Sequence, residues 1–276
     1  MIEKNSPTKN WKLLQLVTGE ILKEFDLHFS NLNINYMPIK GAFLINSGLS
    51  EKIVCRRMDD IDILVLQKDF DRVCAYFSSL PQVVFVKHKW YFEQEFFYSW
   101  GNYKSYVEIH WLLNYPERFL LPTEDLFRRA KAFSNSPALR PSHEDSLLLL
   151  LCHAHVHIGF ELRETIREEI ALLSGQEGFS WDKFWKYAHP TGIELFIKLL
   201  LSHFSMDAAC NHAAPKGKFI IFLLRPLLSA KRYAHLPQLV KRLLFEIPFA
   251  RKPWRLILNK MILSRHGSNA TSVNLH

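Results

Sequence analysis

Asp60 and Asp62 stand two residues apart at the head of an apolar run, where Ile61, Ile63 and Val65 alternate with Asp60, Asp62 and Leu64. That alternation predicts a β-strand whose start carries two acids. Side chains two apart on a strand share a face, with Cα atoms about 6.5 Å apart, so the two carboxylates are placed to hold one or two divalent ions. Adjacent carboxylates repel each other unless a cation sits between them. Mg²⁺ accepts carboxylate, water and phosphate oxygens together, so the pair suits a metal that also carries a nucleotide. Alone, a D-x-D at a strand end is more often a solvated turn or a helix cap. Three neighbours favour the metal. Lys40-Gly41 ends an earlier apolar strand at 34–39 and opens a helix-like segment. Arg57 precedes Asp60 by three residues, placed to meet a phosphate. Glu108 lies in a second predicted strand, 106–111, facing the same way as Tyr106 and His110.

The order of these residues is Lys-Gly, then Arg-x-x-Asp-x-Asp before apolar residues, then Glu-x-His-Trp. It resembles an uncharacterised bacterial nucleotidyltransferase family of the DNA polymerase β-like superfamily. The likeness continues through 147–173, where Cys152-His153-Ala154-His155 precedes Glu169-Ile170-Ala171-Leu172-Leu173, and on to Trp181, spanning roughly 10–190 of the chain. In that superfamily a small mixed sheet with helices carries two acids on one strand and a third on a neighbouring strand, and together they hold two metals. The resemblance therefore implies Asp60, Asp62 and Glu108 as catalytic metal ligands. It puts Lys40 and Gly41 where a Gly-Ser or Gly-Gly turn receives the triphosphate. The chain departs from the pattern there, since Ala42 follows Gly41 with no hydroxyl beside it, and the interval from Gly41 to Asp60 is long.

The expected activity is metal-dependent transfer of a nucleoside monophosphate from an NTP, with ATP the expected donor, to an acceptor hydroxyl, releasing pyrophosphate. Mg²⁺ or Mn²⁺ is the expected cofactor, and Arg57 and Lys40 would neutralise the triphosphate. The acceptor is left open among protein, peptide, small molecule and RNA. His110 shares a strand face with Glu108, so it can orient that carboxylate, touch a phosphate or relay a proton. The plain alternative for it is a strand histidine hydrogen-bonded near a sheet edge. The alternative function is a catalytically inactive nucleotidyltransferase-like module that binds RNA or a protein partner, favoured by the missing Gly-Ser turn and a basic C-terminal third.

The elements that must position these groups follow from periodicity. Trp11, Leu14, Val17, Ile21, Leu22 and Phe25 recur at helical spacing over 8–31. A strand at 34–39, a helix at 41–48, the acidic strand at 60–66 and a helix at 69–80 follow. Aromatic-rich strands are predicted at 83–87, 91–100 and 105–113, with Gly101-Asn102 as a hairpin turn. Trp111 points away from Glu108 into a core, and Trp90, Phe92, Phe96, Phe97, Trp100 and Tyr103 read as packing rather than a base-stacking platform. Beyond Pro116 strand signals fade. Helices fit 147–158 (with Ser142 as N-cap), 161–173, 181–188, 192–204, 218–228, 236–245 and 254–263. The expected fold is α+β: a small mixed-sheet nucleotidyltransferase-like domain at 1–120, an all-helical domain at 121–266 and a disordered tail at 267–276.

A chain of 276 residues with 48% hydrophobic content suits one large or two smaller globular domains. No apolar run approaches the roughly 20 residues of a membrane span, and the first residues lack a signal-peptide core. Cys55, Cys74, Cys152 and Cys210 show no paired spacing, which fits reduced thiols and a cytoplasmic location. The net charge of +8 is uneven: from Lys216 to Arg265 twelve Lys or Arg stand against Glu246 alone. Arg225, Lys231, Arg232, Lys241 and Arg242 are candidates to border the acidic cleft and dock an anionic partner; solvated helix faces are the plainer account.

His153 and His157 are four apart, with Glu161 on the same face, but Ala154 occupies the position of a zincin general base, so with His155 they read as core or cleft-lining histidines. There is no G-x-S-x-G, no Walker A loop and no dinucleotide fingerprint.

Overall fold

The computed structural model describes residues 7–52, 60–89, 92–114, 118–133, 136–156 and 164–204. The chain runs α1 (Pro7–Leu32), β1 (Met37–Pro38), α2 (Lys40–Asn46), a 3-10 turn (Leu49–Lys52), β2 (Asp60–Leu64), α3 (Gln67–Ser78), β3 (Val83–Lys89), β4 (Glu93–Trp100) and β5 (Tyr103–His110). It continues with α4 (Thr123–Arg129), β6 (Lys131–Ala132), β7 (Leu139–Arg140), α5 (His143–Val156), α6 (Glu164–Ser174), α7 (Trp181–Ala188) and α8 (Glu194–His203). Two compact units are formed. The first draws on residues up to Leu113, on Leu121–His153 and on Arg163–Tyr187; the second draws on Asn114–Leu120, Ala154–Leu162 and the chain from Ala188 onward.

The first unit is built on a mixed five-stranded sheet in the order β1-β2-β5-β4-β3. β2 and β5 run parallel, and the other neighbours are antiparallel. The hairpin between β4 and β5 turns at Gly101-Asn102, with Gly101 at φ 58°, a backbone conformation that a side chain disfavours. Its two-residue length pairs Trp100 with Tyr103 and so fixes the register of the whole hairpin.

The pleat divides the sheet chemically. Ile61, Ile63, Phe96, Tyr98, Val107 and Ile109 are buried and share one face. Against it α1 lays Phe25 and α3 lays Phe77, with ring centroids 5.4 Å apart for Phe25 and Tyr98 and 5.9 Å for Phe77 and Phe96. The opposite face carries the acids. Buried helical stripes explain the two helices: Ile21, Leu22, Phe25 and Phe29 in α1, and Phe70, Val73, Cys74 and Phe77 in α3.

The apolar run at 34–39 yields a strand of only two residues. Pro38 has no N–H to donate, which confines this segment to the sheet edge. Residues 121–204 are also not wholly helical, because β6 and β7 pair as a small ribbon tied to Tyr36 through Leu139 N–H to Tyr36 O (2.7 Å). Strands of two residues are too short to leave an alternating pattern in sequence. Helix α5 opens as expected, with the Asp145 backbone N–H on Ser142 Oγ at 3.0 Å. The helices expected at 218–228, 236–245 and 254–263, the tail at 267–276 and the basic side chains Arg225, Lys231, Arg232, Lys241 and Arg242 lie outside the described residues. Among the described residues no helix is long and apolar enough to cross a membrane. Cys74 and Cys152 are free and buried, whereas Cys55 and Cys210 lie outside the described residues.

In the second unit His155 is fully buried against Phe119 and Phe196, and neither ring nitrogen has a hydrogen-bond partner among the described residues. Burial, reinforced by the Arg118 charge, pushes its pKa down from 6.5 to about 3. Its unfolded form therefore takes a proton below 6.5 while the folded form does not, so stability is complete above that pH and declines as pH falls. The expected outcome is a His155-dependent loss of about 1.4 kcal/mol per pH unit just below 6.5, read from urea midpoints at several pH values and absent from His155→Leu.

Candidate functional site

Strand β2 begins at Asp60, and Asp62 follows on the same face. The parallel register sets Asp60 beside Tyr106, Asp62 beside Glu108 and Leu64 beside His110. The next strand extends the row, with Glu95 opposite Glu108 and Glu93 opposite His110. One face of the sheet thus carries five carboxylates on three neighbouring strands.

Asp62 is the buried member, with a side chain 3% exposed. Lys40 Nζ donates to its Oδ1 at 2.6 Å, and His110 Nε2 lies 3.1 Å from the same oxygen. His110 Nε2 is also 3.3 Å from Glu108 Oε2. On the other side of the ring, Nδ1 is 3.2 Å from Glu93 Oε2, an ion-pair contact whose angle falls outside hydrogen-bond range. One ligand atom each from Asp62, Glu108 and His110 lie within 4.8 Å of one another.

The electrostatics follow from this packing. Burial alone would raise the Asp62 carboxyl, but Lys40 and His110 outweigh it and hold the group well below the usual carboxylate range. Burial would likewise lower His110, yet Asp62, Glu108 and Glu93 raise it well above 6.5. The ammonium of Lys40 is raised over its own burial penalty by Asp62, Asp60 and Glu108.

Lys40 opens α2 with φ 51°, in the left-handed region that a non-glycine residue adopts at a cost of about 1–2 kcal/mol. The adjoining backbone is tied to the acidic strand, since Ile39 N–H donates to Asp62 O at 3.1 Å. Gly41 is buried in the first turn of α2.

The structure therefore brings together Lys40, Asp62, Glu108 and His110, and sets Asp60 on the same face one pair earlier. Arg57 lies outside the described residues. His153 is partly buried on α5 and His155 is buried in the second unit; His157 and Glu161 lie outside the described residues. Glu93 and Glu95 were not singled out from sequence. The signal was present: a turn at 101–102 forces residues whose numbers sum alike to face each other, which puts Glu95 on Glu108 and Glu93 on His110.

The donor set fits a divalent cation. Its oxygens are carboxylates, the hard ligands such ions take, and the row carries more negative charge than Lys40 and His110 offset.

The chain matches, over residues 12–205, the family described as uncharacterised nucleotidyltransferase. It belongs to that family. Among solved structures the chain is similar, at 13% identity and a TM-score of 0.43, to the solution structure of the antibiotic-resistance factor ANT(2'')-Ia, over 72% of this chain and 97% of that one. No curated protein matches it.

Removing the Lys40 ammonium tests how the buried charges are balanced. Lys40→Met leaves Asp62 buried beside Glu108, and breaking a buried pair costs about 3–5 kcal/mol. The urea midpoint should drop accordingly, and adding Asp62→Asn to Lys40→Met should recover much of the loss. A midpoint unchanged by Lys40→Met would show that the pair carries no such constraint.

Proposed function

We propose that this protein moves a nucleoside monophosphate from an NTP, with ATP the expected donor, to an acceptor hydroxyl. The acceptor oxygen attacks the α-phosphorus and forms the new O–P bond. The bond from that phosphorus to the bridging oxygen of the β-phosphate breaks, and pyrophosphate leaves with the electron pair. One observation carries the reading: a strand register that sets Asp62 beside Glu108, with Asp60 on the same face and the Lys-Gly segment tied to Asp62.

Asp60, Asp62 and Glu108 are the residues that would hold Mg²⁺ or Mn²⁺. When bound, such ions neutralise phosphate charge and favour ionisation of the attacking hydroxyl. Lys40 holds Asp62 ionised and in place. His110 orients Asp62 and Glu108 toward each other. The start of α2 at Lys40-Gly41 would receive the triphosphate, whose charge suits that side of the row better than the Glu93 and Glu95 side; Arg57 is a further candidate by its residue type alone.

The non-catalytic reading has one observation in its favour: the Lys40 ammonium is engaged with Asp62 rather than presented to a ligand. Radiolabelled ATP and Mg²⁺ incubated with the protein and a cell lysate separate the two. Asp60→Asn is the cleaner probe, because Asp60 is only half-buried, whereas Asp62→Asn leaves Lys40 and His110 without their shared partner. Both variants should lose at least 100-fold in label transfer, and Asp60→Asn should keep the wild-type urea midpoint. Label transfer unchanged in both variants, or RNA binding without any ATP binding by calorimetry, would overturn the catalytic reading.

A further inference from the structure

Every carboxylate of the proposed metal set can be satisfied by Mg²⁺ alone, but the cluster also contains a nitrogen. His110 is 3% exposed and held from both sides. Its Nδ1 meets Glu93 Oε2 at 3.2 Å, while Nε2 lies 3.1 Å from Asp62 Oδ1 and 3.3 Å from Glu108 Oε2. Neighbouring donor atoms on one octahedral ion, each about 2.1 Å from it, sit about 3 Å apart. The two Nε2 separations match that spacing. A histidine that ligates a metal through one nitrogen almost always gives its other N–H to a carboxylate or carbonyl, which sets the tautomer and aims the ring. Glu93 stands on the neighbouring strand directly opposite His110 in register, its Oε2 3.2 Å from Nδ1, so that a small rotation of either side chain would turn this ion-pair contact into that hydrogen bond.

Building on the metal-dependent reading above, the geometry points to His110 as a nitrogen ligand of the bound ion, aimed by Glu93, and so to a site that takes a first-row transition ion in preference to Mg²⁺. Mg²⁺ is selective for oxygen donors, whereas imidazole favours transition ions. Glu93 is a positioning residue: it touches neither nucleotide nor acceptor, and it acts through the ring of His110. The sheet itself enforces the arrangement, since residues facing each other across β4 and β5 cannot shift without slipping the hairpin.

The test uses the full chain with Mn²⁺ as the probe. Electron spin-echo modulation of the Mn²⁺-loaded wild type should show coupling to an imidazole ¹⁴N, and this coupling should vanish in His110→Gln. Titrations followed by the signal of free Mn²⁺, with Mg²⁺ as competitor, should give Mn²⁺ at least a tenfold advantage. Glu93→Ala should weaken Mn²⁺ by about 10–100-fold and shrink that advantage, while Glu93→Gln, which keeps an acceptor for Nδ1, should restore most of it. Mn²⁺ bound tightly without ¹⁴N coupling would overturn the assignment of His110 yet leave the carboxylate reading standing. Unchanged affinity in Glu93→Ala would overturn the role of Glu93. Absence of Mn²⁺ binding to the wild type would overturn the inference outright; label transfer from ATP that persists in Asp60→Asn and Asp62→Asn would then overturn the parent reading as well. The coupling in wild type is measured without any substitution, so misfolding of a variant cannot mask the result.

Discussion

A carboxylate cannot be buried ionised without a partner, and Asp62 is buried with two. The pair formed with Lys40 at 2.6 Å and the contact with His110 at 3.1 Å converge on one oxygen. Much of the local backbone is arranged around this requirement. Lys40 accepts a left-handed φ, and the residue before it hydrogen-bonds the Asp62 carbonyl. The strain at Lys40 is of order 1–2 kcal/mol, smaller than the cost of a buried charge left unmatched. Strain of this size at one residue is thus offset by the ion pair that the same residue makes.

The sheet keeps that polar cluster apart from the core by pleating alone. Ile61 and Ile63 point toward α1 and α3, while Asp60 and Asp62 point the other way. A one-residue slip between β2 and β5 would exchange the two sets, driving acids into the aromatic layer of Phe25, Phe77 and Phe96. The aromatic core therefore does more than stabilise the fold. It makes any odd-residue slip of β2 against β5 costly, and so keeps Glu108 on the same face as Asp62.

Much of this was legible in the sequence because it rests on short periods. Alternation through 60–65 announced β2, and the stripe of Phe70, Val73, Cys74 and Phe77 announced α3. The same period of two put Asp60 on a face with Asp62, and Glu108 on a face with Tyr106 and His110; that Glu108 joins the aspartates was implied by the family resemblance and depends on the β2–β5 register. What escaped depends on contacts distant in sequence. The run at 34–39 looks like a full strand, yet Pro38 and its edge position cut it to two residues. The ribbon of β6 and β7 has no pattern of its own and exists through its link to Tyr36. Glu93 and Glu95 alternate with Gln94 and Phe96 as any solvated strand face would, and only the partner strand gives them significance. Likewise the pairing of Lys40 with Asp62 joins residues 22 apart in the chain, a contact that no local pattern encodes.

The choice of cations at the cluster follows from shape. Lys40 presents a compact ammonium at the end of a flexible stem, able to reach one oxygen of Asp62 from the start of a helix. A guanidinium there would bring a broad planar fork to a carboxylate whose Oδ1 is already shared with His110 Nε2. At 110 the need is different: Glu93 lies on one side, Asp62 and Glu108 on the other. An imidazole spans that gap with two nitrogens fixed in one rigid plane, whereas an ammonium would place its charge at a single point. Burial on the sheet then prevents the ring from turning away. Asp62 is in this way gripped by a reaching cation from α2, whose start is tied to β2 by the Ile39 N–H on Asp62 O, and by a bridging ring from β5, which the strand register holds beside β2.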